Sequence, residues 1–74
     1  MKSNLTPKQK QINYITSTVK EFINDQNPND LEIFLGHIRE IICQFDTDVA
    51  ISVLNEFGDE GKEQAMVVKV SYGY

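Results

Sequence analysis

The stretch FDTDVAISVLNEF, residues 45–57, decides how this chain is read. Up to Phe45 the large apolar residues recur every three or four positions, which is the rhythm of a helix. From Val49 they recur at every second position, through Ile51 and Val53, and Phe57 keeps the step. The change predicts a helix that hands over to a strand. A second alternating run, Met66, Val68, Val70 and Tyr72, follows it, and GDEGKE at 58–63 lies between them. Gly58 and Gly61 there would supply the positive φ values of a tight connection. Strands over about 48–57 and 64–73 then pair as an antiparallel hairpin, with Val49 opposite Tyr72, Ile51 opposite Val70 and Val53 opposite Val68. A slip of one residue would bring Lys69 and Ser71 onto the apolar face.

Upstream of the hairpin the pattern predicts two amphipathic helices. The first runs over about 7–24: Thr6 serves as N-cap, Pro7 takes the first helical position, Gln9 completes a capping box, and Ile12, Ile15, Val19, Phe22 and Ile23 share one face. Asn27 before Pro28 ends it. The second runs over about 29–45, capped by Asn27 or Asn29, with Asp30 and Glu32 at the positive end of its dipole. Its stripe is Leu31, Phe34, Leu35, Ile38, Ile41, Ile42 and Phe45, and Ile33 and Cys43 lie off it. The expected fold class is α+β, a single small domain over 1–74 in the order α-α-β-β, with the two helices packed on the C-terminal hairpin and the sheet extended by dimerisation.

Composition narrows the function. A chain of 74 residues buries only about 60% of the surface it exposes when unfolded, so its margin of stability is small. With 41% hydrophobic and 24% charged residues it is an ordinary globular chain rather than a disordered one. No apolar run approaches the roughly 20 residues of a membrane span and no signal-peptide core follows the first lysine. Cys43 is a lone cysteine, which excludes an intramolecular disulfide, and a cytoplasmic location is expected. Charge is unevenly distributed. Residues 1–20 hold Lys2, Lys8, Lys10 and Lys20 with no acid, whereas residues 21–74 hold eleven acids against Arg39, Lys62 and Lys69.

No motif carries catalysis, a cofactor or a metal. His37 and Glu40 have the spacing of bundle metal ligands, but no other histidine exists to complete a site. Cys43 and His37 face different sides of one helix and do not form a nucleophile and base pair. The glycines do not precede a helix in a phosphate-binding loop. Neither DTD at 46–48 nor GDEGKE has the spaced ligands of a calcium loop. An interaction protein is therefore expected. Asp46, Asp48, Glu56, Asp59, Glu60 and Glu63 would offer an acidic surface to a protein partner with a basic one. Both hairpin strands are poorly protected edges, so a second copy is expected to pair with them, with Leu54, Val67, Lys69 and Ser71 on the open face of the sheet. The competing route to a dimer runs through Ile33 and His37. An alternative function is binding of a small ligand, nucleotide or nucleic acid, with Lys8 and Lys10 as anion contacts. A single arginine and the acidic remainder weigh against nucleic acid. A structural subunit of a larger assembly is the remaining alternative. Small size, the absence of a catalytic constellation and richness in Asn, Ile and Lys fit an accessory protein that a bacteriophage or mobile element uses to inhibit a host protein.

Overall fold

The computed structural model describes residues 6–73, and over them the chain forms four helices and no strand. They are α1 (Pro7–Gln26), α2 (Leu31–Cys43), α3 (Thr47–Leu54) and α4 (Gly58–Ser71). The first two match the predicted helices closely. The α+β expectation is overturned, because both predicted strands of the hairpin are helices.

The reason lies in the spacing. Val49, Val53 and Phe57 are four residues apart, and a step of four keeps residues on one face of a strand and close to one face of a helix. Ala50 and Leu54 separate the two cases. A strand would turn them away from Val49 and Val53, yet all four are sealed together in the core. They follow the i, i+1, i+4, i+5 pattern of a helical face. In α4 the buried positions are Gly61, Ala65 and Val68, at steps of four and three, while Met66, Val70 and Tyr72 point to solvent. Local chemistry agrees. Asp46 is the N-cap of α3, its Oδ1 accepting from the backbone N–H groups of Asp48 at 2.9 Å and Val49 at 3.3 Å. The DTD segment is thus a helix start rather than a turn. Lys62, Glu63, Gln64, Ala65 and Met66 are good helix formers, and Asp59 and Glu60 in the first turn and Lys69 in the last complement the dipole. Gly58 has the positive φ expected of it, +71°, whereas Gly61 is an ordinary helical residue.

Caps set the other boundaries. Thr6 Oγ1 accepts from Gln9 N–H at 3.1 Å, and Asn27, at φ 46°, closes α1 by donating its N–H to the Ile23 carbonyl. Asn27 therefore ends one helix rather than starting the next. Asp30 caps α2 by accepting from Ile33 N–H at 3.1 Å. Phe45 falls beyond the end of α2, where the chain turns into α3.

Helix α3 is the hub: it packs on α1, α2 and α4, and α2 also packs on α4. One part of the core joins Ile12, Ile42, Val49, Ala50 and Val53, and the other joins Leu35, Leu54, Ala65 and Val68. Half-buried Cys43 and Phe57 touch both. Arg39 Nε donates to Gln64 Oε1 at 2.9 Å and ties α2 to α4. Lys8 Nζ reaches Asp46 at 3.4 Å and Asp48 at 3.5 Å, which fastens the start of α1 to the start of α3.

One polar atom is out of place in this core. Thr16 is 8% exposed, and its Oγ1 is buried without a hydrogen-bond partner. Thr16→Val keeps the branched shape and removes the unpaired hydroxyl, so it should raise stability by about 1 kcal/mol. Urea unfolding should show a higher midpoint with an unchanged slope. A lower midpoint would mean that the hydroxyl is satisfied.

Candidate functional site

The helices leave an apolar surface uncovered between α1 and α2. Although α1 and α2 follow each other in the chain, no Cα of one comes within 8 Å of a Cα of the other. They rest side by side on α3 with a groove between them. Two adjoining depressions of about 240 and 330 Å³ make up its floor. They share Val19, Ile38 and Ile41, and Ile15, Phe22, Phe34 and Phe45 extend the apolar lining to either end. Ile41 is 55% exposed and Phe45 80% exposed, which is unusual for side chains so large within one patch. At the end near the loop joining the two helices, the rings of Phe22 and Phe34 stack at 5.2 Å, nearly parallel, and bridge the groove.

The stripe on α2 foretold this surface but not its fate. Seven large residues on one helix were expected to be covered by helix 1 and a hairpin. In the structure α3 and α4 seal Leu35, α3 and Ile12 of α1 seal Ile42, and Ile38 and Ile41 are left lining an open groove toward α1. The signal that could have found the groove is the length of α1. It runs for 20 residues, yet among the described helices its backbone comes within 8 Å of the eight-residue α3 alone.

The expected acidic site is redistributed. Asp46 and Asp48 stand at the start of α3 against Lys8, and Glu56 follows the end of α3. Asp59, Glu60 and Glu63 lie on the first turns of α4, where Glu60 and Glu63 face Glu32 of α2, a residue absent from the predicted set. A hydrogen bond with Glu63 and the charge of Glu63 raise the Glu32 carboxyl above its ordinary value, with smaller contributions from burial and from Asp30 and Glu60. A carboxyl raised on folding stabilises the fold while it is protonated and loses that contribution as pH climbs through the folded value. Glu32→Gln should therefore raise the melting temperature at pH 7 in dilute buffer. The gain should shrink in high salt and vanish below the carboxylate range. An equal gain at pH 3 would argue against the like-charge origin.

Of the residues assigned to dimerisation, Leu54 is at 0% exposure in the core and unavailable to a partner. Val67, Lys69 and Ser71 are exposed on α4, but there are no strands to pair. Ile33 is exposed, and His37 lines the groove. Of the two expected anion contacts, Lys8 is held by Asp46 and Asp48, which raise its ammonium above the ordinary lysine value. Lys10 is exposed on α1, and Lys2 lies outside the described residues. Lys20 lines a separate polar groove between α1 and α3 with Asn13, Ser52 and Glu56. Burial raises the Cys43 thiol above its ordinary value despite the nearby Arg39, so it is held as the protonated, unreactive form.

Among the described residues no three His, Cys, Asp or Glu side chains stand close enough to hold a metal ion, and no helix is long and apolar enough to cross a membrane. Comparison of the chain with protein-family models, with curated proteins and with solved structures found no match.

Proposed function

We propose that this chain is a non-enzymatic interaction protein that binds a larger protein by seating one of its helices in the groove between α1 and α2. The observation that carries this reading is the pair of neighbouring helices whose backbones stay apart although Phe22 and Phe34 meet at one end, with Ile15, Val19, Ile38, Ile41 and Phe45 facing the space between them. A third helix laid there would complete the packing that α1 and α2 lack, with apolar anchors at i, i+3 or i+4, and i+7. Helix α2, at 13 residues, spans about 20 Å, which suits a partner segment of three to four turns. Occupying that segment withholds it from its other contacts, which is how such a protein would inhibit or regulate its partner.

The test uses a synthetic 16-residue amphipathic helix with a leucine stripe and uncharged flanks. Titrated into isotopically labelled protein, it should shift amide signals of α1 and α2 and leave α4 unmoved. Ile41→Asp should abolish the shifts while keeping the helical circular dichroism, because Ile41 is more than half exposed. Shifts centred on α4, or none at millimolar peptide, would defeat the proposal.

A further inference from the structure

The groove has two electrically different ends. At the Phe22–Phe34 end, Glu21 and Asp25 near the close of α1 and Asp30 at the start of α2 are all exposed. Helical spacing sets Glu21 and Asp25 in one line with Tyr14 and Thr18, and Thr18 itself lines the groove. Among the described residues no lysine or arginine forms an ion pair with them, and Lys20 lies across α1 in the polar groove beside α3. At the other end Lys8 pairs with both Asp46 and Asp48, a group of net charge −1, and Asp46 joins Gln11, Ile15 and Phe45 in the lining. One end therefore sets three carboxylates beside apolar side chains, and the other is less acidic.

From this juxtaposition we infer that the occupant is an amphipathic helix of another protein with lysine or arginine clustered at one terminus, which lies against Glu21, Asp25 and Asp30 while its apolar stripe covers Val19, Ile38 and Ile41. The inference rests on the groove being a helix-binding site, and it adds the chemistry and polarity of the helix. Opposite charge at one end steers encounter and fixes which way the helix points. A second copy of this chain fits the groove less well. Laid antiparallel, it would bring the end at which Lys8 is already held by Asp46 and Asp48 against three carboxylates. Laid parallel, it would set carboxylates against carboxylates.

Three versions of the 16-residue peptide separate these cases by fluorescence anisotropy: three lysines at one terminus, three glutamates at the same terminus, and the uncharged form. The lysine peptide should bind about tenfold tighter than the uncharged one at 50 mM salt, and the gain should fall at 500 mM. The glutamate peptide should bind weaker than both. The double variant Glu21→Gln/Asp25→Asn should remove most of the lysine peptide's advantage and leave the uncharged peptide unaffected. Asp30 is kept intact in that variant because it caps α2. Equal binding of all three peptides would overturn the basic partner and leave the helix-binding groove standing. Binding by none would overturn both. Light scattering that shows a dimer dispersed by Ile41→Asp would assign the groove to a second copy and overturn the inference.

Discussion

Replacement of Gly61 by alanine should lower the melting temperature by about 10–20 °C, although alanine is the better helix former by about 1 kcal/mol. The first turns of α4 pass so close to the end of α3 that a Cβ at Gly61 would overlap the Leu54 carbonyl oxygen and stand 2.8 Å from Phe57 Cβ. The obstacle is backbone, so no rotamer change relieves it. The two helices would have to separate at the tightest point of the core, beside Leu54 and Ala65, and the net loss should be about 2–3 kcal/mol. Gly36→Ala supplies the control. Its Cβ would meet Gln64 Oε1 at 3.6 Å, an ordinary contact, so the helix-propensity gain should survive and raise the melting temperature by a few degrees. Opposite signs for one chemical change in two helices is the expected outcome of paired thermal melts by circular dichroism. A neutral or stabilising Gly61→Ala would show that α3 and α4 do not approach as described.

Leu54→Ala should cost about 3–4 kcal/mol. Leu54 is among the largest side chains sealed from solvent, and it joins Leu35, Ala65 and Val68 from two other helices. Truncation leaves a cavity at the centre of a domain whose total stability is of the order of 4–11 kcal/mol for its length. Urea unfolding should show a midpoint reduced by at least about a quarter. Leu54→Met conserves volume and should lose less than about 1.5 kcal/mol, which keeps a folded comparison in hand. Val70→Ala, at a position 75% exposed, should stay within about 0.5 kcal/mol of the parent. The contrast is diagnostic. In a hairpin Leu54 would sit on the open face, and its truncation would disturb association more than folding.

The candidate groove was half legible in the sequence. Its large apolar residues on α1 and α2, Ile15, Val19, Phe22, Phe34, Ile38 and Ile41, were identified as the apolar faces of helices 1 and 2, whereas Gln11, Thr18 and His37 of its lining were not. Periodicity reports which side of a helix avoids water, but not whether the same chain supplies its cover. That depends on how far α1 stands from α2, and α3 sets the distance. The acidic residues met the same limit. Glu32 was seen only as a dipole partner of its own helix, because its approach to Glu63 comes from the packing of α2 on α4.

By itself the sequence determined what depends on neighbours along the chain. Thr6 and Pro7 start α1 where the capping pattern placed it and Asn27 ends it, while α2 is capped by Asp30 in place of the expected Asn27 or Asn29. These are local hydrogen bonds and dihedral preferences, settled within four residues. Tertiary structure decided the second half. The alternating runs at 49–57 and 66–72 are compatible with strand or helix, and β-branched valines and isoleucine tilt the local balance toward strand by only fractions of a kcal/mol per residue. Burying Ala50 and Leu54 beside Val49 and Val53, and Gly61, Ala65 and Val68 against α2 and α3, outweighs that tilt. The contacts that do so join residues on three different helices. No window of the sequence contains them all, so the choice of helix over strand was made by the core.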